Sequence, residues 1–339
     1  MADTKTAELL SKLTLLPPLQ CAAVGTILGS AVADAAARPL HWIYDQTELD
    51  KLFQQNRVPE FWPESRSPFY TLPTGARSCY NHVLMAGLEA FTEAQGEVDL
   101  EIYKKILNKN FGAGTEWQEA LERRREAYSP AKRKEWREPV EGPWLHGAVI
   151  YFLEHGEGEK KNTEMDAFLL TVAHLVFKSE DAGVVEDCLK IASLLSGQTD
   201  SVKYQLQVLR HVLINKQFLS SDIDILRQDV RQITQDVFDK IEDDHVTTVA
   251  GFGNNCHLPG SYQGALHAFI QNTTSQDSFA ATIRDVIRAG GCNCSRGNYA
   301  GALVGAREGV QGIPKHWIGK VTDIDNILEM AMRASNVAV

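Results

Sequence analysis

The residues best suited to chemistry are two cysteines, Cys292 and Cys294, in the segment Ala289-Gly290-Gly291-Cys292-Asn293-Cys294-Ser295-Arg296-Gly297-Asn298. Apolar and small residues repeat at helical spacing before this segment, over 279–288, and after it, over 299–306. A helix beginning near Gly297 presents free backbone N–H groups and the positive end of its dipole to the loop. Such a position lowers the pKa of a thiol, so the two cysteines are candidate catalytic residues.

Two other segments lack helical periodicity, namely 56–79, which is rich in proline and aromatic residues, and 245–260, which is rich in glycine and asparagine. Polar side chains between glycine turns are typical of residues that line a pocket. The segment 245–260 and the pair Gly290-Gly291 therefore predict a ligand-binding site whose backbone N–H groups suit phosphates. The predicted ligand-binding residues are Gly251, Gly253, Asn254, Asn255, Gly290 and Gly291. The aromatic residues of 56–79 are equally consistent with packing over an edge of the core.

Two residues near the N-terminal end of the chain, one in the small-residue segment 25–35 and one shortly after it, complete the candidate site. His41 is a candidate general base, because imidazole titrates near neutral pH, although the pair His41-Trp42 is also typical of simple packing. Asp34 is the single acidic residue of the small-residue segment 25–35 and is a candidate ligand-binding residue. The more common role of a buried carboxylate is structural, as a cap or a hydrogen-bond acceptor within the protein.

The periodicity predicts an all-α protein, a compact multi-helix bundle that forms a single domain over 1–339 with its core at about 20–335. The expected helices are 5–16, 19–37, 47–55, 80–95, 99–110, 115–127, 143–155, 163–178, 181–196, 201–215, 221–242, 261–271, 277–289, 297–310 and 322–335.

Composition excludes several classes of protein. The net charge of −10 argues against a nucleic-acid partner, and the basic residues of 123–125 and 132–137 alternate with glutamates, as in a salt-bridged helix face. The first residues do not resemble a signal peptide, and we expect no apolar run long enough to span a bilayer, so no membrane partner is predicted. Six scattered cysteines favour a reducing, cytoplasmic location over a disulfide scaffold.

The order of several landmarks resembles the ADP-ribosylglycohydrolase family, and within it the crystallin and selenoprotein branches. The landmarks are the segments 25–35 and 39–42, the pair Gly290-Gly291, the pair Gly305-Ala306 and Ile313-Pro314-Lys315-His316-Trp317. The resemblance covers about residues 20–335. It implies an all-α domain with a central cleft, in which two loops hold a pair of magnesium ions and ADP-ribose conjugates are cleaved.

The chain departs from the family where those ions are bound. The family sequence Thr-Asp-Asp-Thr corresponds to Ser78-Cys79-Tyr80-Asn81, and Gly-Gly-Asp-Thr-Asp-Thr corresponds to Gly290-Gly291-Cys292-Asn293-Cys294-Ser295. His41 stands where the family has a glutamate. Magnesium prefers carboxylate, carbonyl and water oxygens, so no magnesium cofactor is expected at these former metal positions. Zinc or copper(I), held by Cys79, Cys292 and Cys294 with Cys256 or His257, is an alternative.

Three functions are consistent with this sequence. The first is a non-catalytic structural protein of crystallin type, a pseudoenzyme that keeps a stable, acidic fold without the magnesium chemistry. The second is a module that binds ADP-ribose or a related nucleotide. The third is a metal-independent hydrolase of ADP-ribosyl conjugates that uses His41, Cys292 or Cys294. The sequence leaves the oligomeric state open.

Overall fold

The computed structural model describes residues 4–127 and 138–338, and most of these residues are helical. The α-helices are α1 Thr4–Thr14, α2 Pro18–Ala37, α3 Gln46–Gln55, α4 Cys79–Glu93, α5 Leu100–Phe111, α6 Glu116–Ala127, α7 Gly147–His155, α8 Asp166–Phe177, α9 Val184–Ala192, α10 Thr199–Asn215, α11 Gln228–Phe238, α12 His245–Phe252, α13 Gly260–Gln271, α14 Ser278–Arg288, α15 Asn293–Glu308, α16 Lys315–Ile318 and α17 Ile324–Val337. Three short 3₁₀-helices are Arg38–Leu40, Ser220–Ile225 and Val310–Gly312. The predicted all-α class is confirmed.

Two short strands are the β structure of the described residues, and the sequence did not predict them. Strand β1, Tyr70–Thr71, lies parallel to β2, Val140–Glu141, with Tyr70 opposite Val140 and Thr71 opposite Glu141. The pairing fastens the aromatic segment 56–79 to the chain just before α7. Each strand has two residues, which is too short for a period of two to be recognised in the sequence.

Helices α2 and α15 form the centre of the bundle, and both are buried along most of their length. Glycines on each helix bring the two backbones into contact, because Gly25 and Gly29 lie against Gly305 and Gly301. Because Gly25 pairs with Gly305 and the later Gly29 pairs with the earlier Gly301, the two helices run antiparallel. The end of α2 therefore lies beside the beginning of α15, which is where Cys292 and Cys294 lie.

Several expected elements differ from those of the structure. Helix α15 begins at Asn293 rather than near Gly297, because Gly297 is part of the helical face that packs on Ala33 and Ala37 of α2. The first half of the expected loop 245–260 is helix α12, which the Asp244 side chain caps by accepting the N–H of Thr247 at 2.9 Å.

The expected helix 221–242 is interrupted. It comprises a 3₁₀-helix and α11, with Leu226 in an extended conformation between them. The Arg231 guanidinium donates to the carbonyl of Leu226 at 2.9 Å, which satisfies an oxygen that a continuous helix would have bonded internally.

By length and composition, the stretch Pro18–Leu40 is apolar enough to cross a membrane, so the expectation that no such run exists was wrong. In this fold 89% of that window is buried inside the protein, as expected for a core helix.

Of the basic residues in the predicted cluster 123–125 and 132–137, Arg124 donates to the Leu145 carbonyl at 3.0 Å and Arg125 pairs with Glu154 at 2.8 Å. The second half of that cluster, 132–137, lies outside the described residues.

Candidate functional site

A backbone bridge holds the end of α2 against the start of α15. The N–H of Trp42 donates to the carbonyl of Gly291 at 2.8 Å, and the N–H of Gly291 donates to the carbonyl of Ile43 at 2.7 Å. Gly290 and Gly291 have φ values of +62° and +58°, and a Cβ on Gly291 would lie 2.2 Å from the Asn254 carbonyl oxygen. Both positions therefore require glycine. The bridge places His41 beside Cys292.

Cys292 is the N-cap residue of α15, and its sulfur lies among aromatic and imidazole groups. His41 Nε2 and the hydroxyl of Tyr80 are each 3.4 Å from Cys292 Sγ. His41 Nδ1 is 2.9 Å from the hydroxyl of Tyr70. One tautomer satisfies both contacts of the ring, with Nδ1 accepting from Tyr70 and Nε2–H donating to the sulfur. The side chains of His41 and Cys292 are both 0% exposed.

The surroundings of Cys292 favour its thiolate. Burial opposes ionisation, but hydrogen bonds from Cys256 and His41 lower the pKa of Cys292 well below its usual value. The positive end of α15 acts in the same direction. Burial lowers the pKa of His41, and the proximity of the Cys292 sulfur raises the pKa of the Cys256 thiol. The shifts therefore favour the thiolate form of Cys292 and oppose a charge on the His41 ring.

Cys294 faces a different set of groups from Cys292. Its pKa is raised well above the usual range, first by burial and then by the negative charge of Asp34, while a hydrogen bond with Ser78 acts against the shift. Cys294 is therefore a neutral thiol between α2 and α4. The two cysteines of the Cys-x-Cys sequence do not form a pair, and all six cysteines of the chain are free thiols.

Asp34 occupies a structural position. Its carboxylate accepts the backbone N–H and the hydroxyl of Ser78, the latter at 2.7 Å, and the side-chain amide of Asn298 at 2.7 Å. Ser78 is the N-cap residue of α4, so a carboxylate from α2 caps α4. Asn81 extends the network by donating to the Asn298 side-chain oxygen at 2.9 Å. The network joins α2, α4 and α15 through fully buried polar groups.

Cys79, the third sulfur of the former metal positions, also points elsewhere. Its ligand atom lies within 4.8 Å of those of His146 and Asp166, and all three residues are buried. His146 Nδ1 is 2.8 Å from Asp166 Oδ1. Burial raises the pKa of Cys79. Burial acts to lower the pKa of His146, but the negative charge of Asp166 outweighs this effect and raises the pKa of His146 well above its usual value. Cys79, Cys292 and Cys294 thus have three separate sets of partners.

A second mixed cluster lies at the surface, where Glu164, Cys256 and His257 have ligand atoms within 4.8 Å of one another. The Cys256 thiol is 3.7 Å from Glu164 Oε1, and His257 Nδ1 is 3.2 Å from the Thr163 hydroxyl. Sequence reasoning paired Cys256 and His257 with the other thiols and missed Glu164. The sequence offers one signal, the Glu164-Met165-Asp166 sequence, whose last residue begins the apolar helix α8.

The glycines expected to bind phosphates have their N–H groups engaged within the protein. Gly290 donates to Ile287 at 3.0 Å, Gly253 donates to Val249 at 2.9 Å, and Cys292 donates to the Asn254 carbonyl at 2.7 Å. Gly251 lies within α12, and the Asn255 side chain accepts the N–H of His257 at 2.9 Å. Ser295 Oγ donates to the Cys292 carbonyl at 2.8 Å.

Arg296 is a buried cation behind the glycine turn. It donates to the carbonyl of Asn254 at 3.1 Å and to the carbonyl of Gly290. Burial lowers its pKa to about 10, so the guanidinium keeps its charge at neutral pH. A fixed positive charge inside the fold offsets the negative sulfur of Cys292. This side chain joins the loop that follows α12 to the loop that precedes α15.

Aromatic side chains cover the centre on its outer side. Trp42 stacks on His41 with ring centroids 4.2 Å apart, and Trp144 lies 5.3 Å from Trp42. Phe69 contacts both tryptophans, at 5.6 and 5.9 Å, and the Arg124 guanidinium lies 4.1 Å above the Trp144 ring. The aromatic segment 56–79 thus serves as packing, one of the two roles that its sequence allowed.

Comparison with known proteins identifies the class of this helical fold. Residues 17–338 match the sequence model of the family described as ADP-ribosylglycohydrolase. The chain therefore belongs to the ADP-ribosylglycohydrolase family, as its landmarks predicted.

The chain is similar to two jellyfish proteins and to one solved structure. Crystallin J1A of Tripedalia cystophora is 27% identical over 332 residues, which cover 93% of this chain and 96% of the crystallin. Crystallin J1B of the same animal is 25% identical, with coverage of 91% and 94%. A solved structure titled ADP-ribosylglycohydrolase-related protein complex has the same fold, with a TM-score of 0.62, 15% identity and coverage of 96% and 100%.

Proposed function

We propose that this protein is a structural, crystallin-type member of the ADP-ribosylglycohydrolase family that has lost the magnesium-dependent reaction. One observation carries the proposal: the side chains at the former metal positions are buried and have partners within the protein. Ser78 and Cys294 face Asp34, Cys79 faces His146, and Tyr80 and Cys292 face each other. These contacts use the groups that would otherwise face an ion.

The charge state of these groups supports the loss of magnesium. Burial raises the pKa values of Cys79, Tyr80 and Cys294, so each is neutral at physiological pH. The one anionic group, the sulfur of Cys292, is soft, whereas magnesium requires hard oxygen ligands and keeps water in its coordination shell. Neutral groups pack without the mutual repulsion that several carboxylates impose, which allows this part of the fold to close.

Closure also argues against substrate binding. An ADP-ribose conjugate must reach the reacting groups, but His41 and Cys292 are 0% exposed and lie beneath the stacked ring of Trp42. Opening would separate Trp42 from Trp144 and Phe69, whose contacts hold the segment in place. Aromatic pairs of this kind contribute about 0.5–1.5 kcal/mol each beyond their buried area.

The acidic surface supports the comparison with crystallins. A net charge of −10 opposes self-association and favours solubility at high concentration. The relatives named crystallins J1A and J1B are matched over 96% and 94% of their own length. Six free thiols are consistent with a reducing, cytoplasmic location, which we propose as well.

The direct test is an assay of ADP-ribosyl hydrolysis with magnesium, using an active member of the family as the positive control. We expect no release of ADP-ribose above background and no change in melting temperature on addition of millimolar magnesium. Calorimetry with ADP-ribose is expected to give no binding heat. Magnesium-dependent turnover would overturn the structural role, and binding of ADP-ribose without turnover would favour the nucleotide-binding module instead.

A thiol-dependent hydrolase is the second candidate, because His41 Nε2 lies 3.4 Å from Cys292 Sγ and the pKa of Cys292 is lowered. An ionised cysteine beside an imidazole is a competent nucleophile. If this candidate is correct, metal-free protein hydrolyses ADP-ribosyl conjugates and Cys292→Ser abolishes the activity. Cys188→Ser is the matched control, since Cys188 is a buried thiol in α9 with no role in the centre. Inactivity of the wild-type protein would refute it.

A further inference from the structure

Three helices begin at the cluster of Cys79, His146 and Asp166. Cys79 is the first residue of α4, His146 is the N-cap residue of α7, and Asp166 is the first residue of α8. Three helix dipoles therefore favour negative charge on the sulfur and on the carboxylate at this point. The three ligand atoms lie within 4.8 Å of one another.

One oxygen of this cluster has no partner. Asp166 Oδ1 bonds His146 Nδ1 at 2.8 Å, whereas Asp166 Oδ2 is buried without a hydrogen bond, in a residue that is 0% exposed. An unsatisfied carboxylate oxygen in the interior destabilises the fold, at a higher cost than an unsatisfied neutral group. A ligand that this oxygen could bind would remove the cost.

The donor atoms identify the class of ligand. A thiolate sulfur, an imidazole nitrogen and a carboxylate oxygen together suit zinc, which binds them at about 2.3, 2.0–2.1 and 2.0–2.2 Å. Tetrahedral coordination at those lengths places the donor atoms roughly 3.3–3.6 Å apart, which is within the 4.8 Å that encloses this cluster. Magnesium is excluded by the sulfur, and copper(I) by the carboxylate.

Glu164 supplies a neighbouring carboxylate and a connection to the surface. It lies two residues before Asp166, and the charges of Asp166 and His146 both affect its pKa, which burial raises. Glu164 also contacts Cys256 in the surface cluster. Glu164 is therefore a candidate for the fourth ligand, and the partly exposed donor groups of the surface cluster lead from solvent towards the buried cluster.

We propose that Cys79, His146 and Asp166 bind one zinc ion, with Glu164 as the fourth ligand. Binding releases the thiol proton of Cys79 and the imidazolium proton of His146 to solvent, and it replaces the hydrogen bond between His146 and Asp166 by two bonds to the metal. The site differs from the magnesium site that the family resemblance implies, because His146, Asp166 and Glu164 are not former metal positions. It stands independently of the proposed structural function.

The test uses the full chain, purified without nickel affinity and stripped with a chelator, then titrated with zinc against a chromophoric competitor. We expect one zinc per chain and a higher melting temperature. Cobalt is then used as the probe, and a thiolate-to-cobalt charge-transfer band is expected in the near ultraviolet. Cys79→Ser should remove this band and weaken zinc binding by at least about tenfold.

Two cysteine variants serve as controls. Cys188→Ser removes a buried thiol elsewhere, and Cys256→Ser removes the sulfur of the surface cluster; both should retain the band. If Cys79→Ser does not fold, Asp166→Asn tests the same site with a side chain of equal size and should weaken zinc binding as well. Retention of the band in Cys79→Ser, its loss in Cys256→Ser, or zinc-free protein at saturating zinc would overturn the proposal.

Discussion

The substitution Gly301→Ala tests whether contact between the α2 and α15 backbones limits the fold. A Cβ at Gly301 would lie 2.3 Å from the carbonyl oxygen of Gly29 and 2.6 Å from Ala33 Cβ. Nonbonded heavy atoms normally stay about 3.5 Å apart or more. The two helices must therefore separate by about 1 Å, which loosens the packing of both central helices.

The size of the effect follows from two opposing terms. Overpacking a core costs about 1–3 kcal/mol, and a backbone contact this short belongs at the upper end. Alanine returns up to about 1 kcal/mol because it favours a helix over glycine. The net loss of unfolding free energy is about 2 kcal/mol. With an unfolding entropy of about 2.1 cal/mol/K per residue, 339 residues give about 0.7 kcal/mol/K. We expect a melting temperature about 3 °C lower.

Gly251→Ala is the matched control, measured in the same calorimetric scans. Gly251 lies in helix α12, is exposed, and has no atom within 4 Å of the position of an added Cβ. The same methyl group should there stabilise the protein by about 0.5–1 kcal/mol through helix propensity. The two substitutions therefore have opposite signs. If Gly301→Ala melts at or above the wild-type temperature, the backbone contact does not restrict this interface and the reasoning is refuted.

Three further outcomes are expected. Asp34→Ala leaves the N–H and hydroxyl of Ser78 and the amide of Asn298 without their buried acceptor, so urea denaturation should show a loss of about 3 kcal/mol or more; a loss below about 1 kcal/mol would contradict the capping role. Burial lowers the pKa of His82 to about 3, so between pH 6.5 and about pH 3 the unfolded state binds one proton more than the folded state, and the free energy of unfolding decreases as the pH is lowered. In His82→Gln this decrease should be shallower, by up to about 1.4 kcal/mol per pH unit. An unchanged pH profile of stability would count against the reasoning. Because the pKa of Cys292 is lowered, native protein should show thiolate absorbance at 240 nm at neutral pH, and Cys292→Ser should lack it. If the first thiol instead ionises near the ordinary pKa of about 8.5, Cys292 is not ionised at neutral pH.

Local patterns account for much of the fold. Helical periodicity identified most of the α-helices, and the order of the glycine and tryptophan landmarks identified the family, because both signals lie in short stretches of chain. Errors fell where tertiary contacts override local preference. Gly297 is a poor helix former by itself, but within α15 it permits close packing on Ala33 and Ala37.

For the candidate site, too, some features follow from the sequence and others from the tertiary structure. The sequence alone predicted which residues replace the family's aspartates, and hence that the hard oxygen ligands of magnesium are lost at Cys79, Tyr80, Cys292 and Cys294; this stays a prediction. It also suggested a structural role for Asp34, which the hydrogen bonds to Ser78 and Asn298 support.

Only the tertiary structure decided where the sulfurs point. Cys292 faces His41, Cys294 faces Asp34, and Cys79 faces His146, a residue 67 positions away in the chain. A sequence specifies which side chains are present, but a direction depends on helix rotation and on packing against segments distant in the chain. For that reason the three thiols, which the family resemblance predicted to be neighbours, belong to three separate environments in the folded protein.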